Sequence, residues 1–143
     1  MGTRVFVYGT LKAGFPNFHI NKGVRVPGRY VTARRFSLYI VGPDHVPWLV
    51  DEGEGVGEFV EGELYDLADE HMPRMDALEN IGEPGGYRRE AIGVRRILDD
   101  GALADATQAQ VYLQDMAHRR GREIHAGPLA NYTPEHAARY RDD

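Results

Sequence analysis

Glu79 stands where a helical pattern calls for an apolar side chain. On a wheel of about 100° per residue, Leu78, His71, Met75, Ala68, Glu79 and Met72 fall within an arc of roughly 120°. Asp69, Glu70, Arg74 and Asp76 lie outside it. A carboxylate inside an apolar stripe loses hydration, which raises its pKa and makes it a better proton acceptor near neutral pH. Alternatively, fraying of the helix end or a salt bridge to Arg88 or Arg89 brings it to water. Periodicity alone leaves both readings open.

Other chemistries are poorly supplied. The chain has no cysteine, and its one serine, Ser37, lies in a strand-like run without a G-x-S-x-G elbow, which excludes serine and cysteine nucleophiles. Gly9 to Gly14 has the glycine spacing of a phosphate loop, but Phe15 and Pro16 stand where Lys and Ser or Thr would be needed. Gly53, Gly55 and Gly57 are flanked by Glu52, Glu54 and Glu58, a field that repels pyrophosphate, and read as a flexible acidic hairpin loop. The six histidines include no i, i+4 pair, so no metal site is expected.

The elements that must position Glu79 are mostly strands. Residues 4–8 form a β-branched and aromatic run stopped by Gly9, a buried strand ending in a turn. Further strands are predicted over 24–33, 36–41, 58–67, 87–98 and 108–114, with Pro43, Pro47 and the three glycines at 53–57 marking loops. One helix is predicted from Asp69, as N-cap, to about Asn80, with Gly82 beyond its end. A second, short helix is predicted where Thr133 caps and Pro134 takes the first helical position. The expected fold class is α+β: a small, mostly antiparallel, β-barrel-like domain with few helices, occupying residues 1–116. Residues 117–143 read as a C-terminal tail with one short helix.

At 143 residues and 42% hydrophobic side chains, the chain can bury a core without disulfides or metal. Charge is uneven: residues 1–50 carry seven basic and one acidic side chain, residues 51–87 one basic and twelve acidic. With a net charge of −5 and no aromatic-basic recognition motif, nucleic acid is not an expected partner. No apolar run approaches a bilayer span and the first residues lack a signal-like stretch, so no membrane association and a cytoplasmic location are expected. Oligomeric state is not legible.

The run Val7, Tyr8, Gly9, Thr10, Leu11, Lys12 resembles the γ-glutamylcyclotransferase-like family, whose first strand ends in a Y-G-T-L turn. Pro16 and Asn17, then Val46 to Leu49, Val60 to Tyr65, Met75 to Glu79 and Tyr87-x-Arg89 are similar to its γ-glutamylamine cyclotransferase branch, in the same order along the chain. The resemblance spans residues 4–116. It implies a γ-glutamylcyclotransferase-like fold without cofactor, a small-molecule γ-glutamyl substrate and release of 5-oxoproline. By position it makes Glu79 the catalytic acid/base and Tyr8, Gly9, Thr10 and Leu11 the cradle of the glutamyl group. The Gly9, Thr10 and Leu11 amides would then bind the α-carboxylate or the developing oxyanion. Tyr87 and Trp48 are candidate walls for a leaving amine, each otherwise a core residue. Alternatives are a cyclotransferase for another γ-glutamyl compound, such as a dipeptide or antibiotic intermediate, and a γ-glutamyl-binding module without turnover. Leu78 departs from the family, which often has an aromatic residue there.

Overall fold

A computed structural model describes residues 2–141 of the chain. Five strands close into a barrel: β1 (Gly2–Val7), β2 (Val24–Thr32), β5 (Glu61–Ala68), β6 (Arg88–Ile97) and β7 (Thr107–Leu113), in spatial order β1-β5-β2-β6-β7. All neighbours are antiparallel except β1 and β7, whose parallel pairing through Val5 and Gln110 closes the ring. A three-stranded antiparallel sheet, order β4-β3-β8, lies alongside, built from β3 (Ser37–Val41), β4 (Val46–Val50) and β8 (Ile124–Leu129). The mostly antiparallel, barrel-like α+β fold expected from the sequence is the fold the chain adopts. No described helix is long and apolar enough to cross a membrane.

Strand alternation sorts β1 between two cores. Phe6 points into the barrel with Leu64, Val94 and Val111, whereas Val5 and Val7 pack outside it with Tyr65, Leu67 and Met75. This second core is the seat of helix α1 (Met72–Leu78), so one short strand carries both the barrel interior and the helix that precedes Glu79.

The charge segregation along the chain is resolved by strand pairing. Arg4 pairs with Asp66, Arg25 with Glu63 and Arg29 with Glu61, because β1 and β2 both flank β5. Arg34 and Arg35, between β2 and β3, pair with Asp51 and Glu58 of the segment between β4 and β5. Exposed pairs of this kind contribute about 0–1 kcal/mol each, so they match the strands more than they stabilise them.

Several expectations need correction. Pro47 lies within β4 instead of a loop: β4 is an edge strand, where a missing N–H breaks no ladder bond. Residues 51–60 are not a hairpin, since β4 and β5 belong to different sheets; the acidic stretch is a crossover. Gly57 fits there because its φ is +100° and a Cβ would sit 2.3 Å from the Phe36 carbonyl oxygen. Asp69 is not an N-cap. It opens a 3-10 turn (Asp69–His71), and α1 begins only at Met72, since Pro73 is tolerated in the first turn of an α-helix and nowhere further inside.

The C-terminal stretch does more than add a helix. Thr133 precedes α2 (Pro134–Ala137) as expected, but the preceding residues form β8, hidden from pattern reading by Gly127 and Pro128 in its middle. Tyr132 is fully buried in the barrel-side core. Its hydroxyl has no hydrogen-bond partner among the described residues. Tyr132→Phe, which removes that unsatisfied group and keeps the ring, is expected to raise stability by about 1–2 kcal/mol in urea denaturation.

Candidate active site

The turn after β1 is built so that its carbonyls are used and its amides are not. Lys12 N–H donates to the Gly9 carbonyl (3.1 Å), Asn17 N–H to that of Thr10 (2.8 Å) and Asn21 Nδ2 to that of Leu11 (3.1 Å). The N–H groups of Gly9, Thr10 and Leu11 donate to no acceptor among the described residues. Gly9 is required by close approach: a Cβ there would lie 2.9 Å from Pro47 Cγ. Tyr8 is anchored by its hydroxyl, which donates to the Tyr112 carbonyl at 2.7 Å.

Tyr8 to Leu11 form one side of a cavity of about 230 Å³, and Leu78, Glu79, Asn80 and Tyr87 form another. Val46 and Pro47 of β4 also line it. The volume is below the range of about 300–1,000 Å³ typical of small-molecule pockets, which suits a ligand of amino-acid size.

Glu79 is the residue that caps the C-terminus of α1. Its N–H donates to Met75 O (3.2 Å), its carbonyl accepts from Tyr87 N–H (3.0 Å), and Asn80 follows with φ +57°, the left-handed conformation that commonly ends a helix. The loop from Asn80 to Gly86 folds back tightly: a Cβ on Gly86 would lie 2.0 Å from the Asn80 carbonyl oxygen. That return puts Tyr87 beside Glu79, and the Tyr87 hydroxyl donates to Pro47 O at 2.8 Å.

The two readings of Glu79 left open by periodicity are now separated. Arg88 pairs with Glu90 and Arg89 with Asp76, so neither takes Glu79. The Glu79 carboxyl has no hydrogen bond or ion pair to any described residue, and burial among protein atoms pushes its pKa up to about 8. The residue is partly accessible and lines the cavity. Burial, reinforced by the Glu79 charge, also holds the Tyr8 and Tyr87 hydroxyls well above the ordinary phenol range, so both stay neutral donors. Behind the helix, Asp76 accepts from Tyr112 Oη (2.8 Å) while it pairs with Arg89 (3.3 Å), tying α1 to β6 and β7.

Of the residues singled out in the sequence, Tyr8, Gly9, Thr10, Leu11, Glu79 and Tyr87 share this cavity and Trp48 does not. Trp48 packs on the opposite face of β4 with Val41 and Val50, because alternation sends Pro47 and Trp48 to opposite sides. Sequence reasoning missed Pro47 as a wall, and Asn17 and Tyr140, which also line the cavity. Asn17 and Pro47 both lie within segments that resemble the family. Tyr140 carries no local signal.

A barrel domain whose cavity brings an acid without a partner among the described residues together with a turn of unused amides is the arrangement that the resemblance to γ-glutamyl cyclotransferases leads one to expect. A family model described as Gamma-glutamyl cyclotransferase, AIG2-like, matches residues 5–131, and the chain belongs to that family. It is similar to the gamma-glutamylaminecyclotransferase of Rattus norvegicus, 32% identical over 95% of this chain and 94% of that protein. The protein of the same name in Homo sapiens is 36% identical over 81% of this chain and 77% of its own length. Among solved structures, an AIG2-like protein from Mus musculus superimposes with a TM-score of 0.75 at 28% identity, covering 99% of this chain and 97% of that one.

Proposed function

We propose that the protein cyclises γ-glutamylamines, releasing 5-oxoproline and a free amine, with Glu79 as the proton-transfer group. The observation that carries this reading is the unpaired, desolvated Glu79 carboxyl in the same cavity as the free amides of Gly9, Thr10 and Leu11. The substrate's α-amine attacks its own γ-carbonyl carbon. The new C–N bond closes a five-membered lactam, the old amide C–N bond breaks, and no protein nucleophile is needed. Intramolecular attack in a well-oriented conformer removes several kcal/mol of entropic barrier. The chain's tasks are to hold the glutamyl group folded, to accept a proton from the α-ammonium and to return it to the departing amine, which also takes the second proton shed by the attacking nitrogen and leaves as an ammonium.

The raised pKa matters for the proton step. Between an ordinary Glu near 4.3 and an α-ammonium near 7.7, transfer is uphill by about 4.6 kcal/mol. With Glu79 at about 8 the two groups are nearly matched. The Gly9–Leu11 amides supply hydrogen bonds to the α-carboxylate or to the oxyanion that forms on the γ-carbonyl.

An amine leaving group is favoured over an α-amino acid by the cavity walls. A γ-glutamyl dipeptide carries a second carboxylate beside the bond to be broken, and no Lys or Arg lines the cavity among the described residues; Val46, Pro47 and Leu78 suit an aliphatic stem. A panel of γ-glutamylamines and γ-glutamyl dipeptides, assayed for 5-oxoproline by chromatography, tests this. The expected result is a kcat/KM at least about tenfold higher for the amines. A preference for dipeptides would overturn the substrate class, and no 5-oxoproline from any member would overturn the reaction.

A further inference from the structure

Among the described residues, the C-terminal segment reaches the cavity through Tyr140. Tyr140, beyond α2, forms part of the wall, and its hydroxyl accepts from Asn17 Nδ2 at 3.0 Å. The same Nδ2 donates to Thr10 Oγ1 at 2.9 Å, and the Asn17 backbone is bonded to the Thr10 carbonyl. Asn17 is only 2% exposed, so this amide is a buried connector between the last residues of the fold and the middle of the Tyr8–Leu11 turn. The segment that brings Tyr140 in is held on both sides. Lys12 Nζ donates to Tyr132 O (2.6 Å) and Asn131 Oδ1 (3.1 Å), and Arg141 N–H donates to Asp44 O (2.9 Å). Tyr140 is therefore linked through Asn17 to the turn side of the cavity, and its hydroxyl is placed by a contact that spans 123 positions of sequence.

We propose that Tyr140 is a substrate-contacting, specificity-determining residue that recognises the glutamyl half of the ligand, with Asn17 as the positioning residue that holds it against Thr10. This rests on the γ-glutamyl reading of the cavity given above. If the turn takes the glutamyl end, a residue chained to Thr10 meets the part common to every substrate and to the lactam product, and not the amine that differs among substrates. Its contribution then appears in binding of 5-oxoproline itself, which has lost the amine.

The test is the competitive inhibition constant of 5-oxoproline together with KM and kcat for two γ-glutamylamines with different amine portions. Tyr140→Ala is expected to weaken 5-oxoproline about tenfold, to raise KM for both substrates by a similar factor and to leave kcat within about threefold. Tyr140→Phe keeps the ring and is expected to lose about two- to fivefold, which provides a readout should the alanine variant not fold. Asn17→Ala should weaken 5-oxoproline as well, and combined with Tyr140→Ala should cost less than the two effects multiplied, because Asn17 acts partly through Tyr140. Unchanged 5-oxoproline inhibition in both Tyr140 variants, or a KM change that depends on the amine, would overturn the proposal while leaving the reaction intact. A wild-type protein that neither releases nor binds 5-oxoproline would overturn the underlying reading instead.

Discussion

Glu79→Gln should reduce turnover of a γ-glutamylamine by about 10²–10⁴-fold with little change in KM, measured as 5-oxoproline release by a folded variant. Gln has the shape of Glu and donates and accepts hydrogen bonds, but it cannot take a proton from the α-ammonium. The effect is large because no other carboxylate lines the cavity among the described residues, and the Tyr8 and Tyr87 hydroxyls, held protonated by burial, are not substitute bases at neutral pH. The wild-type pH profile should carry the same signature. Only the carboxylate form of Glu79 accepts a proton and only the α-ammonium, with a pKa of about 7.7, supplies it, so kcat/KM should rise about tenfold per pH unit below about 7, peak near 8 and fall again above it. Near-wild-type turnover in the glutamine variant would remove Glu79 from the mechanism.

The second large effect is on stability and has the opposite sign. A buried acid whose folded pKa lies above its unfolded value binds a proton more tightly when folded. Its stabilising contribution is fully present below the unfolded pKa, near 4.5, and is lost as pH rises through the folded pKa of about 8. Stability of the wild type should therefore fall by about 1.36 kcal/mol per pH unit across that window from this group, about 4–5 kcal/mol in all as an upper figure. Glu79→Gln lacks the titration. At pH 9 it should be more stable than the wild type by several kcal/mol in urea denaturation, and at pH 4.5 the difference should nearly vanish. Equal pH dependence in the two proteins would mean that the carboxyl is hydrated in the folded state. Both predictions come from one arrangement: an acid kept without a partner is a cost in stability, tolerated where it makes proton transfer nearly thermoneutral.

Short-range signals in the sequence reached a good part of this molecule. The runs that became β1, β2, β3, β5, β6 and β7 were legible because β-branched and aromatic alternation and glycine stops act within a few residues. Where the local pattern failed, an edge position had excused it: Pro47 in β4 and Gly127 with Pro128 in β8 would be wrong in a central strand. The unusual position of Glu79 was visible from its helical face alone, although Pro73 shortens the helix so that the acid sits at its end and not within it.

The sequence by itself determined six of the eight described strands, the turn at Tyr8–Leu11, the acid at 79 and, through ordered motifs, the family. Only the tertiary structure decided that Glu79 has no partner among the described residues, that Pro47 and not Trp48 faces the cavity, and that Tyr140 forms part of its wall. The reason is physical. Periodicity and turn chemistry are set by neighbours along the chain, whereas desolvation, ion-pair choice and the meeting of Asn17 with Tyr140 depend on which distant segments the closed barrel brings together.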